Sequence, residues 1–161
     1  MMGRPEGQPG AQSRRPAPAD PCAMVLFGAT GDLTNRLVVP ALYNLARTNV
    51  LPAQFSLIGV ARADQTTQSW RDQLRAALQR FVDRTPDAKP IDDRVWQRLA
   101  DTLVYVQGDL TTPDLYNRLR ASIEATARDH GTRGNAIFYL AVADRLFGTL
   151  VEQLGRAKLL D

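Results

Sequence analysis

The chain has 161 residues, 44% apolar and 23% charged, a composition that fits one ordinary globular domain with a real core. Its net charge is +3, but the basic residues are scattered among acids, so a solvated arginine-rich surface is expected and no nucleic-acid partner. The single cysteine, Cys22, excludes an internal disulfide framework and fits a reducing, cytoplasmic compartment, and no apolar run approaches the ~20 residues needed to cross a membrane.

Residues 1–20 are rich in Pro, Gly, Gln and Arg and have almost nothing to bury, which predicts a disordered tail over 1–22. The stretch lacks the apolar centre of a secretory signal. Arg4, Arg14 and Arg15 would suit a transit peptide, but Glu6, Asp20 and the shortage of serines argue against one.

From Ala23 onward, short apolar runs alternate with helical spacing. AMVLF (23–27) reads as a buried strand, and Leu33, Leu37, Val38, Ala41, Leu42 and Leu45 then recur as one helix face. Pro52 breaks that pattern before a second strand, FSLIGV (55–60). Trp70, Leu74, Ala77, Leu78 and Phe81 form the face of a second helix. Pro86 and Pro90 bound a loop, and a short helix carries Val95, Trp96 and Leu99. TLVYVQ (102–107) is the third strand. Thr111 or Thr112 followed by Pro113 reads as the cap and first turn of a helix with Leu115, Leu119 and Ile123. Gly131 and Gly134 make a turn into a fourth strand, NAIFYLAV (135–142). The last helix carries Leu146, Phe147, Leu150, Val151 and Leu154, with Gly155 as its expected stop.

Near-continuous apolar strands separated by amphipathic helices predict an α/β fold with a parallel sheet covered on both faces. Right-handed crossovers make it a Rossmann-like, doubly wound sheet over residues 23–161. Ligands in such sheets bind off the carboxyl ends of the strands, so function is expected in 28–34, 61–64, 108–111 and 141–147.

Gly28-Ala29-Thr30-Gly31 lies between the first strand and the first helix. Gly28 allows a sharp turn, Gly31 leaves room for an approaching phosphate, and the helix N-terminus favours an anion. The spacing departs from G-x-G-x-x-G, with Thr34 where a third small residue is expected; a tight turn without ligand is the alternative. After the second strand, NAD-binding sheets usually place an acid that accepts from the ribose 2′-hydroxyl. Here Arg62 stands nearest that place and suits a 2′-phosphate, predicting NADP over NAD, although Asp64 is two residues away. After the third strand, Asp109 either accepts from an adenine amino group or caps the loop, and Leu110 is placed to pack on the ring.

Catalytic residues are not evident. His130, the only histidine, precedes the fourth strand and reads as a surface loop residue on the wrong side of the sheet. There is no metal-ligand cluster, no phosphate-loop lysine motif and no Tyr-x-x-x-Lys pair.

Three segments, VLFGATGDLTNRLVVPALYNLARTNVLP, LIGVARAD and IFYLAVADRLFGTLVEQLGRAKL, resemble in order and spacing the N-terminal part of glucose-6-phosphate dehydrogenases. That family oxidises glucose 6-phosphate to 6-phosphogluconolactone with reduction of NADP, at the entry of the pentose phosphate pathway. The resemblance implies that Gly28, Ala29, Thr30, Gly31, Asp32 and Leu33 bind the pyrophosphate and Arg62 the 2′-phosphate. It maps Asp109 to the aspartate after the third strand and Phe147 to an aromatic near the cofactor. It further implies that the full-length form is a homo-oligomer. Three positions depart from the family pattern: Ala143 and Asp144 replace two prolines, so this loop is expected to take another shape, and Leu37 replaces a phosphate-proximal lysine.

The family's general-base histidine and sugar-phosphate residues lie in an Asp-His-Tyr-x-x-Lys-like segment and a second domain, expected beyond Asp161. The sheet is therefore expected to be incomplete at the C-terminus and the chain inactive alone. Two further readings compete: a non-enzymatic NADP-sensing module acting on a protein partner, and a fragment that fails to fold because its sheet edge is open.

Overall fold

A computed structural model describes residues 17–160. Most of the expected tail, residues 1–16, lies outside the described residues. Strand β1 (Cys22–Phe27) starts one residue before the sequence expectation, because Cys22 already pairs with Phe55. A π-turn (Thr34–Val38) runs into helix α1 (Val39–Arg47). There follow β2 (Phe55–Ala61), α2 (Thr67–Arg84), α3 (Asp93–Ala100), β3 (Leu103–Gln107), α4 (Pro113–His130), β4 (Ala136–Leu140), a 3-10 turn (Asp144–Leu146) and α5 (Phe147–Arg156).

All four strands are parallel, in the order β3-β2-β1-β4. The chain steps outward from β1 to β3 and then returns to the other side of β1. That reversal makes a switch point between β1 and β4, the place where a doubly wound sheet opens a crevice for ligand. Strand periodicity splits the core into two layers. Leu26, Leu57 and Leu103 face Trp70, Leu74, Trp96 and Leu42 of α1–α3. Val25, Phe27, Ile58, Val60 and Val106 face Leu115, Leu119, Ile123 and Leu150 of α4 and α5.

Helix boundaries follow local chemistry. Thr66 and Ser69 close a reciprocal capping box at α2, and Asp92 accepts from Arg94 and Val95 at α3. Thr112 occupies the cap position of α4, but its side chain makes no capping bond. Gly131 (φ 68°) ends α4 in the left-handed region, so His130 is the last residue of a helix rather than part of a loop.

Four expectations need correction. Leu33, Leu37, Ala41 and Leu45 do not form the buried face of the first helix; Leu37 is 61% exposed. The π-turn inserts an extra residue into one turn, and burial passes instead to Thr34, Val38, Val39, Leu42 and Tyr43. Phe81, Phe147 and Val151 are also exposed. Strand β4 is covered on one face only: Phe138 packs inward, while Ile137 and Tyr139 are exposed because the α1–α3 layer does not reach this edge. Finally, α5 runs through Gly155 to Arg156, and Lys158 (φ 53°) takes the left-handed position instead. Among the described residues no helix is long and apolar enough to cross a membrane.

Candidate functional site

The parallel arrangement brings the four post-strand loops to one edge. At its centre, Gly28 (φ 89°) turns the chain out of β1. Its Cα faces the backbone of Ala141 just beyond β4, where an added Cβ would collide with the Ala141 carbonyl oxygen. The N–H groups of Gly28 and Ala29 both donate to Val60 O (3.0 and 3.1 Å), and Ala141 N–H donates to Phe27 O (2.9 Å). The turn is thus sewn to both neighbouring strands.

The turn's carbonyls are also occupied. Gly28 O accepts from Gly31 N–H (3.0 Å) and from Thr34 Oγ1 (2.8 Å), whose residue is fully buried. Ala29 O accepts from the indole Nε1 of Trp70 at 3.0 Å. Trp70 packs so closely over β2 that a Cβ on Gly59 would enter its ring. By contrast, the N–H groups of Thr30, Asp32 and Leu33 donate to no protein acceptor among the described residues, while Asn35 N–H donates to Gly31 O as the helix begins. Carbonyls turned inward and amides left free make an electropositive cradle, the arrangement that suits a phosphate at a helix start. Gly31 keeps it open, since a Cβ there would meet only Gly28 O, at 3.3 Å. This is how the residues fit a dinucleotide's pyrophosphate. Asp32 sits at the rim and pairs with Arg36 across one turn (3.2 Å).

One strand over, Arg62 is exposed on the loop after β2. Its backbone carbonyl accepts from Gln107 Nε2 (3.3 Å), and Tyr105 Oη donates to Ala63 O (2.6 Å), so the loop is fixed from β3. The Arg62 Nη2 group donates to Asp109 Oδ2 at 2.8 Å. Asp109 Oδ1 accepts from both the N–H (2.9 Å) and the Oγ1 (2.7 Å) of Thr111. The Thr111 bonds, and secondarily the Arg62 guanidinium, hold the Asp109 carboxyl below the usual carboxylate range. Leu110 is half-buried against the α4 core, and its carbonyl accepts from Tyr116 Oη (2.7 Å). Burial, with a smaller push from Asp109, raises the Tyr116 hydroxyl to about 12.

Beyond β4, Ala143 is extended (φ −58°, ψ 140°), and Asp144 opens the 3-10 turn by accepting from Arg145 N–H (2.7 Å). No cis peptide occurs among the described residues. Phe147 follows as the first residue of α5, 40% exposed. A cleft of about 660 Å³ runs along α1 and the second half of α2; Arg36, the partner of Asp32, lines it, but Gly28–Leu33, Arg62, Asp109, Leu110 and Phe147 do not.

Parallel strand order therefore places Gly28–Leu33, Arg62, Asp109 and Leu110 beyond the carboxyl ends of adjacent strands, with Arg62 and Asp109 in direct contact, while Phe147 opens α5 past the 3-10 turn that follows β4. Sequence reasoning missed the residues that hold this edge in shape: Trp70, Thr34, Tyr105 and Thr111. Trp70 read as core, which it is; the overlooked signal was its N–H, which must find an acceptor when buried.

A family model described as "Glucose-6-phosphate dehydrogenase, NAD binding domain" matches residues 25–161. The chain belongs to the glucose-6-phosphate dehydrogenase family. It is 37% identical over 139 residues to a glucose-6-phosphate 1-dehydrogenase of Chlamydia muridarum, covering 86% of this chain and 27% of that protein. Against glucose-6-phosphate 1-dehydrogenase 2 of Mycobacterium bovis the identity is 39% over 146 residues, covering 91% and 27%. A crystal structure of the Mycobacterium avium glucose-6-phosphate 1-dehydrogenase superposes with a TM-score of 0.74 at 34% identity, covering 87% of this chain and 28% of that one. The chain thus spans about a quarter of the length of these relatives, and the matched part is the nicotinamide-dinucleotide-binding domain of the glucose-6-phosphate dehydrogenase family.

Proposed function

We propose that this chain is the coenzyme-binding portion of an NADP-dependent glucose-6-phosphate dehydrogenase, with the binding domain opening at Cys22, the first residue of β1, rather than at Ala23, and the residues before it a tail. The whole protein would oxidise glucose 6-phosphate at C1 to the lactone, with the proton-abstracting base and the sugar-phosphate site supplied by the rest of its length. A cytoplasmic location and a homo-oligomeric full-length form belong to the same reading.

The observation that carries it is the set of amides at Thr30, Asp32 and Leu33 that find no acceptor among the described residues, at the switch point of a sheet in this family. In this reading Gly28–Leu33 hold the pyrophosphate and Arg62 the 2′-phosphate. Asp109 and Leu110 flank the adenosine, and Phe147 stands toward the nicotinamide end. The coenzyme, when bound, supplies the hydride acceptor.

Arg62→Gln tests the assignment. A charge-assisted contact is worth roughly 1.5–3 kcal/mol, so calorimetric titration should show NADP affinity falling about 10- to 150-fold. NAD, which lacks the phosphate, should bind the variant within about twofold of the unmodified chain, since it forfeits no such contact. Equal binding of both coenzymes by the unmodified chain, or none, contradicts the proposal.

A further inference from the structure

Arg62 is not a free cation waiting for an anion. It already has one, and the two partners are unequally held. Asp109 keeps its carboxylate through three hydrogen bonds, two from Thr111 and one from Arg62. Its side chain is 37% exposed, against 77% for Arg62. The Arg62 guanidinium is tied at its tip by a single N–H, and the rest of its fork faces solvent. Asp109 is the post; Arg62 is the arm.

We propose that Asp109 sets the coenzyme preference by competing with the 2′-phosphate for Arg62, and so narrows the advantage of NADP over NAD. The proposal rests on the coenzyme reading above. A 2′-phosphate must draw the guanidinium off Asp109 and so forfeits the Arg62–Asp109 pair. Orientation of the arm works in the other direction, but a single exposed pair restrains a long side chain only weakly. Loss of the pair, which leaves Asp109 held by Thr111 alone, outweighs that orientation. NAD needs no cation at this place, so the Arg62–Asp109 pair can stay intact beneath its ribose.

The test is a cycle of four chains at full length: unmodified, Asp109→Asn, Arg62→Gln and the double variant. Dissociation constants for NADP and NAD are measured calorimetrically on each. Asparagine can still accept from Thr111 N–H, and Asp109→Ser serves in its place with the same expected direction should D109N fail to fold. With Arg62 present, D109N is expected to raise the NADP-to-NAD affinity ratio roughly two- to fivefold, the scale of one exposed ion pair. In the R62Q background the ratio should stay put. A lost adenine contact would weaken both coenzymes together and leave the ratio unmoved, so an unmoved or lowered ratio overturns the proposal. An equal rise in both backgrounds also overturns it, because Asp109 would then act on the phosphate without Arg62. Absence of binding by the unmodified chain overturns the coenzyme reading and this proposal together; NADP-selective binding with an unmoved ratio overturns only the role of Asp109.

Discussion

Gly28→Ala should cost the chain about 4 kcal/mol of stability and remove coenzyme binding. Two independent effects add. A side chain at φ 89° lies outside the regions L-residues favour, a strain of roughly 1–2 kcal/mol. The new Cβ would also sit against Ala141 O and 2.8 Å from its carbon, in backbone that pairs with Phe27 and cannot swing aside. Overpacking of this kind typically costs a further 1–3 kcal/mol. Gly31→Ala is the matched control: its Cβ meets only Gly28 O at 3.3 Å, and its φ is not positive, so stability should change by less than about 1 kcal/mol. Its effect should fall on coenzyme affinity. Denaturant unfolding of the two variants checks both; equal losses of stability would contradict this account of the turn.

Trp70→Ala is the second large effect, with an expected loss of about 3–5 kcal/mol. The indole is fully buried, lies on Gly59 and stacks at a tilt with Tyr105 (5.7 Å between centroids). Removing it leaves a cavity that a bare glycine strand cannot close. Trp70→Phe separates packing from hydrogen bonding. It keeps most of the ring but leaves Ala29 O without its donor, which should cost about 1–3 kcal/mol. Because Ala29 O belongs to the turn, W70F should also weaken NADP binding. A W70F chain that is destabilised yet binds NADP unchanged would show that the indole supports the core and not the site.

The fold was legible where periodicity was strict. Residues 22–27 and 55–61 alternate between two apolar layers, which only a doubly covered sheet explains, and the Pro and Gly punctuation located the loops. It was illegible where the backbone departs from ideal geometry. Leu33 and Leu37 have helical spacing, but the π-turn moves the inward face to Val38, Val39, Leu42 and Tyr43, and no residue type announces such a turn. Ile137 and Tyr139 look like core residues because apolarity does not reveal which strand lies at a sheet edge. Gly155 resembles a stop, yet the left-handed residue is Lys158.

The site divides in the same manner. Gly28 and Gly31 were readable from their place between strand and helix, since few other reasons put glycine there. The Arg62–Asp109 contact joins residues 47 apart, and strand order alone decides that their loops are neighbours. Thr34 looked like a departure from the glycine pattern; in the fold its hydroxyl secures Gly28 O.

The most direct test of the amide cradle is the amide spectrum of the isotope-labelled chain during titration with NADP. The backbone N–H resonances of Thr30, Asp32 and Leu33 should move most and saturate together, along with the Nε–H of Arg62. NAD should reproduce the first group and spare Arg62. If NADP saturates the chain while those three amides stay still, the pyrophosphate lies elsewhere and the site is misassigned.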